Sequence, residues 1–207
     1  DDIAYSLTLN NSGQIYIAGR FGGTADFDPS TGIANLISTG SQDVFLAKYD
    51  TDGNYIWATA IGGTGSDSAK NSALNGSDQV IVTGYFLGTA DFDPSVGTAN
   101  LTSTGSQDIF IAKYDSNGNY IWAKAMGGTN YDSATGIALN ASGQVHITGN
   151  FQGTVDFDPS ATTANLTSVG VANDIFIAKY DTNGNYIWAK AIGGTVNDLV
   201  YSIALDA

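Results

Sequence analysis

One stretch is written three times in this chain: DVFLAKYDTDGNYIWATAIGG at Asp43–Gly63, DIFIAKYDSNGNYIWAKAMGG at Asp108–Gly128 and DIFIAKYDTNGNYIWAKAIGG at Asp174–Gly194. Repetition constrains a fold strongly, because each copy must adopt the same local structure and meet its neighbours in the same way. Each copy is a pair of segments rich in β-branched and aromatic residues, joined by Asp-Gly or Asn-Gly. Glycine supplies the positive φ that a tight turn needs, so each copy predicts a β-hairpin.

The repetition reaches beyond the hairpin. Repeat one spans Asp2–Ser66, repeat two Asp67–Tyr131 and repeat three Asp132–Asn197. Asp198–Ala207, DLVYSIALDA, restarts the pattern of Asp2–Asn11, DIAYSLTLNN. Two further strand signals precede the hairpin in each repeat: Tyr5–Leu9 and Gln14–Gly19, Asn71–Leu74 and Gln79–Gly84, Thr135–Leu139 and Gln144–Gly149. Each pair flanks a polar turn, NNSG, NGSD or NASG. A longer connection follows at Phe21–Gly40, Phe86–Gly105 and Phe151–Gly170. Its GTADFD segment is read as extending the second strand past a glycine bulge, and Asp-Pro marks a sharp turn. No helical periodicity appears.

Four antiparallel strands per unit describe a propeller blade. The expected fold is therefore all-β: three tandem four-stranded blades and the first strand of a fourth. Three blades are too few to close a ring, so an open arc is expected, with an apolar blade face at each end. The expected partners are more blades of the same kind. They would come from a longer chain, from copies that complete one another, or from an open fibre in which Asp198–Ala207 joins a neighbour by strand addition.

Charge narrows the other partners. All 20 acidic residues are Asp, against seven Lys and Arg, and the net charge is −13. Nucleic-acid binding needs clustered cations, so neither nucleic acid nor an anionic membrane surface is expected. No apolar run is long enough to enter a bilayer. Calcium is the natural counter-charge and the one cofactor the sequence suggests. The absence of Cys removes thiol, disulfide and zinc–thiolate chemistry. The chain opens at Asp1 with neither initiator Met nor signal peptide, as a mature form, a processed product or an excerpt would.

The Asp-Phe-Asp-Pro motif is the leading candidate site. It places Asp26 and Asp28, Asp91 and Asp93, and Asp156 and Asp158 two residues apart. In an extended strand both members of a pair face one side and the intervening Phe27, Phe92 or Phe157 faces the other. Two carboxylates with nearby loop carbonyls suit Ca²⁺. The competing expectation is a turn role, with the Asp before Pro closing an Asx-turn and its companion capping a loop amide. The turns at Asp50–Asn54, Asp115–Asn119 and Asp181–Asn185 lack the Gly and Glu spacing of an EF-hand and read as hairpin devices.

Trp57, Trp122 and Trp188, with Tyr55, Tyr120 and Tyr186, form an aromatic stripe at strand spacing. Blade-to-blade packing is the first expectation for it, and a glycan-stacking surface the second. Phe45, Phe110 and Phe176 read as blade core. Lys48, Lys113 and Lys179 are expected to pair with nearby Asp. His146, the only His, falls at a strand position held by Tyr16 and Ile81 in the other repeats, which does not support a triad. Five Asn-x-Ser/Thr sequons are present, at Asn10, Asn75, Asn100, Asn140 and Asn165.

The patterns Asp-x3-Ser-Ile-Ala-Leu, Gly-Gln-Val-x-Ile-Thr-Gly, Asp-Ile-Phe-Ile-Ala-Lys-Tyr-Asp and Ile-Gly-Gly-Thr resemble the bacterial β-propeller repeat called SBBP, over the whole chain. The resemblance implies blades with the first strand innermost and the fourth outermost, in secreted or surface proteins. The FDPS connection is richer in Asp than that pattern. The expected function is a non-catalytic structural or adhesive repeat on the outside of a bacterium, with a calcium- or glycan-binding module as the alternative.

Overall fold

A computed structural model of the chain describes residues 1–206; Ala207, the last residue of the terminal segment, lies outside the described residues. Blade one comprises β1 (Ile3–Leu9), β2 (Ile15–Phe21), the short β3 (Thr24–Asp26) and β4 (Asn35–Ile37), β5 (Asp43–Tyr49) and β6 (Tyr55–Gly63). Blade two comprises β7 (Ser68–Leu74), β8 (Val80–Asp91), β9 (Asn100–Tyr114) and β10 (Tyr120–Gly128). Blade three comprises β11 (Ser133–Leu139), β12 (Val145–Phe151), the short β13 (Thr154–Asp156) and β14 (Asn165–Thr167), β15 (Asp174–Tyr180) and β16 (Tyr186–Ile192). Every ladder between these strands is antiparallel, and the blades run β1-β2-β5-β6, β7-β8-β9-β10 and β11-β12-β15-β16. The protein is all-β, an open arc of propeller-like blades.

The long connection is more ordered than the sequence suggests. It folds into its own short hairpin, β3–β4 or β13–β14, and in blade two its strands are continuous with β8 and β9. The bulge expected at its glycine is the register shift between Leu87 and Thr89, where Gly88 has φ 76°. This hairpin also joins adjacent blades. The hairpin of blade two pairs with the end of β6 through Gly62↔Asp91 and Gly63↔Ala90, and that of blade three pairs with β10 through Gly127↔Asp156 and Gly128↔Val155.

Alternation along each strand sends its two apolar faces to two different neighbours. Tyr16, Ala18, Val44 and Leu46 of blade one pack with Val80, Val82, Phe110, Ala112 and Tyr114 of blade two. Ile81, Ile109 and Ile111 of blade two pack with Val145, Ile147, Phe176 and Tyr180 of blade three. A third, smaller cluster of Phe21, Phe45 and Ala47 lies under the short hairpin of blade one. The first strands lie side by side: Ser6 Oγ stands 2.9 Å from Ser72 Oγ, and Asn71 Nδ2 donates to the Thr135 carbonyl at 3.4 Å. Thr135 Oγ1 donates to the Val200 carbonyl at 2.8 Å, so the segment 198–206 lies against β11 much as β7 lies against β1. No strand is formed within that segment among the described residues.

Candidate functional site

The FDPS loops form from their own carboxylates. Asp26 Oδ1 accepts from the amides of Asp28 (3.0 Å) and Ala34 (2.8 Å), and Asp28 Oδ1 accepts from Ser30 N (2.9 Å). The same bonds recur from Asp91 and Asp93 to Asp93, Ala99 and Ser95, and from Asp156 and Asp158 to Asp158, Ala164 and Ser160. The Asp before Pro closes an Asx-turn, and its companion holds the loop shut. The amides of Ala34, then Asp28, hold the Asp26 carboxyl below its usual range. Phe27 packs beneath against Phe21 and Phe45, and Phe92 and Phe157 are buried in the equivalent places. Among the described residues, no three His, Cys, Asp or Glu side chains gather at metal-ligating separations. Asp156 and Asp158 nevertheless share an open cleft of about 260 Å³ with Thr104, Asp108 and Gly127 of the preceding blade.

The hairpin turns have the same economy. Asp50 Oδ1 accepts from Asp52 N and Asn54 N at 2.8 Å each, and its Oδ2 accepts from Asn54 Nδ2 at 2.8 Å. Asp115 and Asp181 repeat this arrangement.

The aromatic stripe is not one surface. A bulge between Lys48 and Tyr49 sets Tyr55 opposite Tyr49 but Trp57 opposite Lys48, and the same shift occurs at Tyr120/Trp122 and Tyr186/Trp188. Residues two apart in a regular strand face one way; the extra bulge residue reverses this. In blade two, Tyr120 consequently packs into the core shared with blade one, and Trp122 into the core shared with blade three. Trp57 Nε1 donates to the Ser116 carbonyl (3.2 Å) in the turn of blade two, and a Cβ added to Gly118 would lie 3.2 Å from its ring. Trp122 covers Gly184 likewise, while Trp188 meets His146 edge-on within its own blade. Tyr55, Tyr120 and Tyr186 each contact a tyrosine of their own blade, and their hydroxyls accept from Ala58, Ala123 and Ala189 N. Lys48 departs from the expected Asp pairing: its ammonium donates to the Ser116 carbonyl (3.3 Å) and lies over the Tyr16 ring.

Sequence reasoning missed the aspartates at the blade junctions. Asp67 Oδ2 accepts from Gly63 N of blade one (2.9 Å) and its Oδ1 from Leu87 N of blade two (3.0 Å). Asp132 spans Gly128 and Gln152 in the same way. A Cβ on Gly62 would lie 2.8 Å from Asp67 Oδ2 and 2.9 Å from Asp43 Oδ1, so two buried carboxylates converge on that glycine. Asp43 Oδ1, Asp108 Oδ1 and Asp174 Oδ1 are buried without a hydrogen-bond partner. Burial, partly offset by the two amides and reinforced by the neighbouring carboxylate, pushes Asp67 up to about 6 and Asp132 up to about 7. Burial likewise pushes Asp108 up to about 6. The available signal was the recurrence of Asp at the start of every repeat, at Asp2, Asp67, Asp132 and Asp198.

No protein-family model matches the chain. An uncharacterised WD repeat-containing protein of Acanthamoeba polyphaga mimivirus is 30% identical across 97% of this chain and 16% of its own length. The regulatory protein FlaEY of Caulobacter vibrioides is 27% identical across 86% of this chain and 19% of its own length. The chain thus spans less than a fifth of either relative. Repeated sequence, blade geometry and these similarities agree on a propeller-like repeat protein.

Proposed function

We propose that the chain is a non-catalytic structural repeat of an extracellular bacterial protein, of the SBBP type, in which blades assemble through their faces into a larger propeller or filament. The carrying observation is the work assigned to the repeated polar groups. The FDPS and hairpin-turn carboxylates close their own loops, Asp67 and Asp132 clasp adjacent blades, and Trp57 and Trp122 seal the junctions. Catalysis needs unequal groups converging on one point, whereas these groups perform one structural task in each copy. Surface localisation is supported by the SBBP resemblance and the Asp-only acidity. Electron microscopy of the purified chain tests the assembly: rings or filaments of stacked blades are expected, and isolated arcs that remain monodisperse in light scattering overturn it.

The cleft between Asp108 and the Asp156–Asp158 loop supports a second reading as a calcium-binding module. Calcium titration followed by thermal melting separates the two. A saturable rise in melting temperature supports metal held at the cleft, and an unchanged one supports turn closure alone.

A further inference from the structure

The first strands vary between repeats at several positions, and one of these positions leaves the ladder. It is Tyr5 in blade one, Lys70 in blade two, Thr135 in blade three and Tyr201 in the terminal segment. In the three blades this residue is the extra one of a β-bulge, lying between the paired residues Ala4 and Ser6, Ala69 and Asn71, and Ala134 and Gly136. A bulge re-aims a side chain out of the ladder. Here the four side chains, with Asn71, line one pocket of about 410 Å³ that is mostly apolar. That volume lies within the range of small-molecule sites.

One cation lines this pocket and a second lies beside it. Five of the seven recur between repeats, at Lys48, Lys113 and Lys179 and at Lys124 and Lys190; the two that do not are Lys70 and Arg20. Both converge on Tyr5: the Lys70 ammonium lies 3.8 Å from the ring centroid and the Arg20 guanidinium carbon 5.9 Å from it. Lys70 also faces the Tyr85 ring at 5.2 Å, and Arg20 Nη1 donates to Tyr85 Oη at 3.3 Å. Arg20 Nε is buried without a partner. Tyr131 extends the aromatic wall, 6.3 Å from Tyr85 between ring centres. In a protein of net charge −13, the partners described for these two cations are tyrosines rather than carboxylates. Their charge therefore remains available to a ligand.

We propose that this pocket binds a small ring-bearing organic anion. Lys70, on the pocket wall, meets its charge, Arg20 beside the Tyr5 ring adds positive potential, and Tyr5 and Tyr201 receive its ring. Cations set among aromatic faces, beside a mostly apolar cavity, match such a ligand better than a bare inorganic ion or a neutral sugar. This site goes beyond the scaffolding role and does not depend on assembly.

The repeats supply fold-compatible variants, because blade three carries Thr135 and Asn150 where Lys70 and Arg20 stand. Binding of glucuronate, benzoate, glucose and inorganic phosphate to the whole chain is measured by calorimetry, with melting temperature as the folding control. Glucuronate or benzoate is expected to bind at least ~10-fold more tightly than glucose and phosphate. The glucuronate and benzoate arms distinguish a sugar acid from an aryl acid. Lys70→Thr/Arg20→Asn is expected to weaken binding at least ~10-fold with the melting temperature unchanged. Tyr201→Ile, at a position 79% exposed, is expected to weaken it less and serves if the double variant does not fold. The proposal is overturned if none of the four probes binds, if phosphate or glucose binds as tightly as the ring-bearing anions, or if binding by the folded variants equals that of the wild type.

Discussion

Gly63 and Gly194 occupy the same place in the repeat and have opposite surroundings. A Cβ on Gly63 would lie 1.9 Å from the Thr89 carbonyl oxygen, and one on Gly128 would lie 2.2 Å from that of Thr154. A Cβ on Gly194 would meet nothing within 4 Å. The first two are covered by the hairpin of the next blade, and the third is not. Strand length follows: β6 and β10 run through their paired glycines, whereas β16 ends at Ile192. Side chains follow too, since Ile61 and Met126 are 2% exposed and their counterpart Ile192 is 53% exposed. One sequence thus has two structures at its end, according to whether a neighbour is present. The clasp shows the same asymmetry: Asp198 accepts from Gly194 N and Asp2 from Gly22 N, each making one of the two bonds seen at Asp67.

The largest effect should come from emptying the covered core. Phe157→Ala removes a fully buried ring packed on Phe151 and Phe176 and is expected to cost about 3–5 kcal/mol in denaturant unfolding. Phe27→Ala, under the uncovered hairpin of blade one, should cost roughly half that because its ring is already partly exposed. Equal costs would contradict the distinction between covered and open blades.

Next comes the glycine comparison itself. Gly128→Val forces a side chain into the Thr154 carbonyl and should destabilise by about 1–3 kcal/mol. Gly194→Val should leave unfolding unchanged within about 0.5 kcal/mol. It should also block head-to-tail association, because a second copy's β3 would meet the added side chain as Thr89 would meet one at Gly63. Sedimentation of the variant against the wild type checks this.

The junction carboxylates should make stability depend on pH. Asp67, Asp108 and Asp132 have folded pKa values raised above the unfolded value, so their contribution is full below the unfolded pKa of 3.8 and is lost as pH rises through about 6 to 7. Asp26, Asp50 and Asp158 are lowered, so their contribution is present above 3.8 and is lost as pH falls through their folded values. The melting temperature should therefore peak near about pH 4 and decline on the alkaline side of that peak up to about pH 7. Asp108→Asn should flatten the alkaline decline while leaving the Thr104 amide bonded to the remaining oxygen.

A small net effect is expected at Asp78, the only non-glycine residue at positive φ (58°) among the described residues, where repeats one and three carry Gly13 and Gly143. Asp78→Gly relieves a left-handed conformation worth roughly 1–2 kcal/mol but loses the 2.8 Å bond from Asn10 Nδ2. A net change under about 1 kcal/mol in thermal melting is the expected outcome.

Much of this architecture was legible in the residues. The Asp-Gly and Asn-Gly turns, the alternation of strands and the threefold repeat lead directly to four strands per blade, because turn chemistry and side-chain period are local properties. The turn roles of Asp28, Asp93 and Asp158 before Pro were legible for the same reason. The division of the Tyr–Trp stripe was not, since Ile56, Ile121 and Ile187 become bulge residues only through pairing with the adjacent strand. The Lys70–Arg20–Tyr5 cluster was also hidden, because its members lie on separate strands in two blades.

By itself, the sequence determined the four principal strands of the blade, its turns and the Phe45, Phe110 and Phe176 core. Tertiary structure decided what each blade end becomes. A short hairpin gains strand partners only where a preceding blade offers Gly-Gly, and Asp67 and Asp132 keep their protons to higher pH because two blades close around them. Local propensity acts within one chain segment, whereas burial and pairing require a second surface. At Gly194 the chain retains the residues of a junction without the neighbour that would make one.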